Sequence, residues 1–379
     1  MTFDFDTPVD RRFTGSLKWD RYGDPRILPM WVADMDFRAP PALIEALRAR
    51  VDHGVFGYTQ ASEADQAAVT GMLERQYGWA VTGESIVWLP GVVPGLLASA
   101  RAVGGPGDGI LCHTPIYHHF LEVAEQAGRR RVTVPLVRRN NRYTYDLEIT
   151  EQACVGDLCS MHLCHPHNPV GSAWQRDELS GLLEICGRHG LVVVSDEIHC
   201  DLILDQDRVH LPAGMLAPQD LRMITLMSPS KTYNLAGLNC AFAIIPDRSL
   251  RRAFVSALKN ASILSSPLAF TAMRAAYEQC GDWRDALIDY LRGNRDFLEA
   301  EIASIPGLSM THVEATYLGW IDVSALPVSS PVAWFERHGV GLSGGLPFGD
   351  GNHVRINFGC PRQQLREALS RIRSAVREL

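Results

Sequence analysis

The sequence predicts an α/β protein built on a mainly parallel sheet. Two observations carry this: short apolar runs of strand length alternate with helical periodicity, and turn residues punctuate the junctions. The expected strands are Ser85–Leu89, Gly109–His113, Arg131–Pro135, Leu158–Cys164, Leu191–Asp196 and Met223–Ser228. Most are near-continuous apolar runs, as in strands covered on both faces. Helices fill most of the gaps. Asp177–His189, for example, opens on acidic residues and closes on Arg188-His189-Gly190, which suits the helix dipole and a glycine stop. From residue 282 the pattern changes to a long helix (Trp283–Ile305), strand-like Tyr317–Val323 and Val354–Phe358, and a closing helix from Pro361. This reads as a second, smaller α+β domain. The division expected is an N-terminal segment 1–45 packing with the small domain, a large domain 46–281 and a small domain 282–379.

The 379 residues are enough for one large or two ordinary domains, and 46% hydrophobic with 21% charged residues exclude disorder or a fibre for the body of the chain. The net charge of −7, with basic runs no longer than Arg129-Arg130-Arg131, argues against nucleic acid as a partner. The acidic start has no secretory pattern, and no apolar run reaches the roughly 20 residues of a membrane helix, so a cytoplasmic protein is expected. Nine cysteines suit reduced thiols better than a disulfide framework.

Three motifs carry chemistry. Ser228-Pro229-Ser230-Lys231-Thr232 places a lysine after an apolar strand among small hydroxylic residues. Such a strand end can hold a phosphate while the amine reaches a carbonyl as a Schiff base, although alone it also fits a solvated loop lysine. Ser195-Asp196-Glu197-Ile198-His199 ends another strand. Parallel strands present their C-terminal ends to one crevice, where a buried carboxylate needs a cationic partner such as a protonated pyridine; a helix N-cap is the plainer alternative. Cys164-His165-Pro166-His167-Asn168-Pro169-Val170-Gly171 is a proline-punctuated turn at the same edge, from which Asn168 could donate to a ring oxygen. The order Asn-Pro-x-Gly, Asp, Ser-x-x-Lys is more specific than any one piece.

With these residues in place, the chain resembles the fold-type I pyridoxal-phosphate enzymes of the aminotransferase class I/II superfamily, and within them the MalY/PatB-type cysteine-S-conjugate β-lyases, or cystathionine β-lyases. The resemblance extends through Pro29-Met30-Trp31-Val32-Ala33-Asp34, Gly57-Tyr58-Thr59, Pro90-Gly91-Val92-Val93, Thr114-Pro115-Ile116-Tyr117, Glu314-Ala315-Thr316-Tyr317 and Val354-Arg355-Ile356-Asn357, and so covers essentially the whole chain. It implies a fold with a mainly parallel seven-stranded sheet between helices, pyridoxal 5'-phosphate as cofactor, and a homodimer with shared active sites acting on a small-molecule amino-acid substrate. Lys231 would be the Schiff-base lysine, Asp196 the pyridine-nitrogen partner and Asn168 the ring-oxygen ligand, with His199 near the same oxygen. Tyr117 would stack on the ring. Gly91, Val92 and Val93 with Ser228 and Ser230 would cradle the phosphate, joined by Tyr58 from a neighbouring subunit. Arg355 would hold the substrate carboxylate, with Ala33, Asn168 and Tyr58 also at the substrate.

The reaction implied is α,β-elimination from an S-substituted cysteine to thiol, pyruvate and ammonia. Transamination, or decarboxylative deamination of an S-cysteinyl conjugate, is the alternative, since Lys231 serves all of these. The chain departs from the family at His118-His119, where Pro-Pro is usual, and at His165 and Val170. Both changes are expected near the substrate pocket, where the imidazoles would favour a bulky, polar or anionic S-substituent; solvated surface histidines are the alternative. Asn239 stands where many superfamily members place an arginine. Cys159, His162, Cys164, His165 and His167 lack the spacing of a structural zinc site, and no metal is expected. Trp19, Trp31 and Trp88 are expected in the core or pocket wall.

Overall fold

The computed structural model describes residues 3–259 and 265–379. The central sheet has seven strands: β1 (Ile86–Leu89), β2 (Gly109–Thr114), β3 (Arg130–Pro135), β4 (Leu158–Cys164), β5 (Val192–Asp196), β6 (Met223–Met227) and β7 (Ala241–Ile244). Their spatial order is β1-β7-β6-β5-β4-β2-β3. β7 runs antiparallel to β1 and β6, whereas the other neighbours are parallel. All six expected strands are present, with ends within about a residue of expectation. β7 lies outside the sequence expectation: Ala241-Phe242-Ala243-Ile244 is short, follows β6 without an intervening long helix, and so breaks the βαβ rhythm that marks the others.

Both sheet faces are covered, and β5 is buried along its whole length because helices pack on either side. Helix Arg176–Arg188, expected at Asp177–His189, presents Leu179, Leu182, Leu183 and Cys186 to one face. Its acidic first turn and Glu178 capping box satisfy N–H groups that the helix itself leaves unpaired. Helix Val92–Ala102 packs Leu96 and Ala100 inward on the other face. Among the described residues no helix is long and apolar enough to cross a membrane.

The C-terminal part has a second sheet of four strands: β8 (Ser309–Met310), β9 (Leu318–Asp322), β10 (Ser343–Gly344) and β11 (His353–Asn357), in the order β8-β9-β11-β10. The expected long helix is Gly281–Ala303 and the closing helix Arg362–Arg377. One apolar core joins these helices to Phe5, Met30, Met35, Phe37 and helix Pro41–Asp52 from the N-terminal part of the chain. The N-terminal segment is also tied to this region by parallel pairing of Leu28-Pro29 with Val340-Gly341.

Candidate active site

A cavity of about 720 Å³ lies where β4, β5 and β6 end, and Arg355 of the second sheet forms part of its wall. Asp196 is the last residue of β5, in register between Cys164 and Leu226, so the sheet ladder fixes its backbone on both sides. Its side chain is buried, and desolvation pushes the carboxyl up to about 7 against the opposing pull of the Ile198 N–H and the more distant Lys231. It makes no ion pair among the described residues, so the buried carboxylate lacks the adjacent cation that burial calls for.

Lys231 follows the end of β6 by a short turn and reaches the same cavity. Desolvation pulls its ammonium down to about 8, with Arg355 acting in the same direction and Asp34 and Asp196 opposing it. Its Nζ donates to the Ala33 carbonyl at 2.6 Å. Arg355 is buried, and loss of hydration brings its guanidinium down to about 10. Nη1 donates to Asn168 Oδ1 at 2.9 Å and Nη2 to the Trp31 carbonyl at 3.0 Å, while Nε is buried without a partner. A buried cation held only by neutral oxygens is suited to receive a carboxylate.

At the far end, helix Val92–Ala102 starts at Gly91 without a side-chain cap. The Val92 and Val93 N–H groups find no protein acceptor among the described residues, which leaves this helix terminus able to receive an anion. A Cβ on Gly91 would meet only the Pro94 ring, at 3.6 Å, so the cradle is open. Ser228 Oγ donates to the Cys240 carbonyl and accepts the Ser230 N–H, aligning both serines at the cavity. Buried His199 lines the cavity with Nδ1 unpartnered, and burial holds its imidazole neutral.

Residues 31–36 pass over the cavity. Lys18, fully buried, donates to Asp36 at 2.8 Å and to the Asp34 carbonyl; Arg11 binds Asp34 and Asp36; Asn357 Nδ2 donates to the Val32 and Asp34 carbonyls at 2.6 Å. Each buried charge here has an opposite charge in contact, so the network fixes the height at which the Ala33 carbonyl meets Lys231 and the Tyr317 hydroxyl.

The cavity therefore brings together Lys231, Asp196, Asn168, His199 and Tyr117, the cradle residues Gly91, Val92, Val93, Ser228 and Ser230, and Ala33, Arg355 and His118. Asn239 also lines it. Two expected residues stand apart. Tyr58 is fully exposed and outside the cavity wall of its own chain. His119 does not line the cavity itself but meets Glu122, which does, with Nδ1 2.7 Å from Oε2. The placing of His165 and Val170 near the substrate is corrected: His165 is buried against His210, with Nε2 3.0 Å from the Leu211 carbonyl, and Val170 lies in the core, so neither lines the cavity. The histidines beside them are likewise separate, His167 meeting the Pro115 carbonyl and His162 lying buried near Phe120. Trp31 is in the cavity wall, as expected of that group, while Trp88 packs on Phe270 and Trp19 donates to Asp36.

Arg21, Glu122, Ser343 and Phe348 also line the cavity and carry no sequence motif; Arg21 and Glu122 are exposed at its mouth, whereas Phe348 is buried beneath the Arg355 guanidinium. Ser343 is placed by the register that pairs it with Arg355, which is visible only in the sheet. The donor set as a whole suits a phosphate ester at the helix terminus, a protonated ring nitrogen at Asp196, a carbonyl at Lys231 and a carboxylate at Arg355.

Residues 28–372 match the family model described as aminotransferase class I and II. The chain is 38% identical to the cystathionine beta-lyase PatB of Bacillus subtilis (strain 168), covering 98% of this chain and 99% of that protein. Its structure resembles the crystal structure of OvoB, with a TM-score of 0.96 and 44% identity over 99% of each chain. It also resembles cystalysin from Treponema denticola, whose crystal structure contains a pyridoxal 5'-phosphate cofactor, with a TM-score of 0.94 and 30% identity over 100% of both chains.

Proposed function

The chain belongs to the aminotransferase class I and II family, and from that premise we propose that it is a pyridoxal-phosphate-dependent carbon–sulfur lyase, performing α,β-elimination on an S-substituted L-cysteine. The observation that carries the reading is the meeting of Lys231, Asp196 and Arg355 in one cavity, each desolvated and each without the charged contact partner its burial demands. Those three unmet demands match a carbonyl, a ring nitrogen and a substrate carboxylate.

When bound, pyridoxal phosphate supplies an electron sink that weakens the Cα–H bond of the amino acid it carries. Asp196 would hold a proton at the ring nitrogen, and its burial among apolar strand residues would strengthen that contact. Asn168 and His199 would hold the ring oxygen, Tyr117 would cover the ring, and the N–H groups of Val92 and Val93 with Ser228 and Ser230 would hold the phosphate. Arg355 fixes the amino acid by its carboxylate, so that Cα faces Lys231. Lys231 Nζ, its affinity for a proton lowered by desolvation, is the base that takes the Cα proton. The C–S bond then breaks, the sulfur leaving as thiolate toward the mouth, and hydrolysis of the remaining carbon skeleton yields pyruvate and ammonia.

The reading includes a homodimer. Val55, Phe56 and Tyr58 are all exposed on residues 54–60, an apolar segment that suits burial against a second copy, with Tyr58 reaching that copy's phosphate cradle. It also includes the domain division at about residues 45 and 281, and a reducing cytoplasm, which suits nine unpaired thiols. The test of the activity is incubation of holoenzyme with cystathionine and other S-substituted cysteines, following pyruvate, thiol and carbon dioxide. Pyruvate and thiol in equal amounts support elimination. A keto acid that retains sulfur, or released carbon dioxide, overturns it in favour of transamination or decarboxylation.

A further inference from the structure

His118, His119 and Glu122 stand at the start of helix His118–Gln126, where the helical repeat brings Glu122 beneath both imidazoles. One ligand atom from each lies within 4.8 Å of the others. His119 Nδ1 is 2.7 Å from Glu122 Oε2, and the two imidazole centroids are 4.3 Å apart. His118 and Glu122 also form the shared wall between the catalytic cavity and a neighbouring one of about 400 Å³, which places the cluster on the rim of the entrance.

Two imidazoles with one carboxylate are the donor set of open rather than closed zinc sites, and borderline divalent ions prefer such mixed nitrogen and oxygen ligands. Ligands bonded to zinc at about 2.0–2.2 Å lie roughly 3.4 Å apart in a tetrahedron, so any wider separation within the 4.8 Å limit must close by at most about 1.4 Å while His119 Nδ1 and Glu122 Oε2, 2.7 Å apart, open slightly. His119 and Glu122 are partly exposed and free to make that adjustment. The cluster opens a helix and is separate from Cys159, His162, Cys164, His165 and His167, whose spacing is not that of a structural zinc site.

We propose that His118, His119 and Glu122 form a divalent transition-metal site at the entrance of the catalytic cavity, and that an ion held there obstructs passage of the S-conjugate. The metal site stands on its own geometry; its effect on turnover rests on the lyase reading. The test is calorimetric titration of holoenzyme with Zn²⁺, paired with Co²⁺ titration to read the visible absorption of a four-coordinate ion, on wild type and on His118→Ala, His119→Ala and Glu122→Gln. One ion per chain is expected, with affinity falling at least about tenfold in each variant. No saturable binding, or binding that survives all three substitutions, overturns the site. In a second measurement, Zn²⁺ should raise KM for an S-substituted cysteine with kcat little changed, reversibly with chelator. Zn²⁺ that binds without moving KM overturns the obstruction alone. Absence of lyase activity without any metal condemns the lyase reading and leaves the binding result intact.

Discussion

The floor and the mouth of the cavity are built on opposite principles. On the floor, Asp196 and Asn168 are buried and Lys231 is desolvated, carried by strand ends or by the short turns that leave them, and every titratable group is displaced from its ordinary range. At the mouth, Arg21 and Glu122 are exposed and His118 is half-buried, and they come from two separated stretches of chain, the N-terminal segment and the start of helix His118–Gln126. Desolvation makes the floor reactive, because a charge kept from water and from a partner interacts strongly with whatever supplies one. Hydrated side chains at the mouth can discriminate between substituents only by the modest energies of exposed polar contacts.

If that contrast holds, substitutions on the floor must cost far more than those at the mouth. Lys231→Ala is expected to lower kcat by at least roughly 10²–10⁴-fold, since the covalent attachment and the base are lost together. Borohydride reduction followed by mass analysis checks the attachment, and a variant still labelled at residue 231's peptide would break the assignment. Arg355→Ala comes next. Loss of a bidentate contact in a desolvated site should reduce kcat/KM by about 30-fold or more, about 2 kcal/mol, mainly through KM. A fall confined to kcat would show that Arg355 acts at some other step.

The floor also predicts how the cofactor-free protein responds to pH. Asp196 is raised from 3.8 to about 7, so the folded chain holds this proton more tightly than the unfolded chain, and stability falls as pH rises through that window. Lys231 is lowered from 10.5 to about 8, so the stability present at high pH is lost as pH drops through that window. Together they place a minimum of Tm between about pH 7 and 8. Asp196→Asn should flatten the acid side of the profile; a wild-type and variant pair with equal slopes there would contradict the burial argument. Bound cofactor should raise Tm most near the same minimum.

The smallest effect is expected at the mouth. His118 and His119 are the first two residues of their helix, positions where proline is tolerated, so His118→Pro with His119→Pro should fold. The ratio of kcat/KM for cystathionine to that for a large polar S-cysteinyl conjugate should shift by about threefold or more, about 0.65 kcal/mol of differential binding. Because His118 alone lines the cavity, His118→Pro by itself should produce most of the shift. A smaller change would leave the histidines without a part in selecting substrate.

The legibility of the two regions in the sequence follows the same division. Six of the seven central strands could be read because buried parallel strands are apolar throughout and alternate with helices; β7 could not, because it enters antiparallel and short. Asp196, Asn168 and Lys231 were legible because each sits at or just beyond a strand end, and a parallel ladder brings such ends to one edge whatever the details of packing. The mouth had no such rule. His165 and Val170 lie on the turn that carries Asn168, yet their side chains pack into the core, where His165 meets His210 from 45 residues away in the chain, a partner that neither periodicity nor spacing announces.

The sequence by itself determined the alternation of strands and helices and the placing of chemically distinctive residues at strand ends, because burial pattern and turn chemistry are properties of neighbouring residues. Only the tertiary structure decided what faces the substrate. The Lys18–Asp36 and Asn357 contacts hold residues 31–36 over Lys231, and the register of Ser343 with Arg355 sets the opposite wall. These contacts join residues separated by as many as 325 positions, and their energies arise only once both partners have left water together.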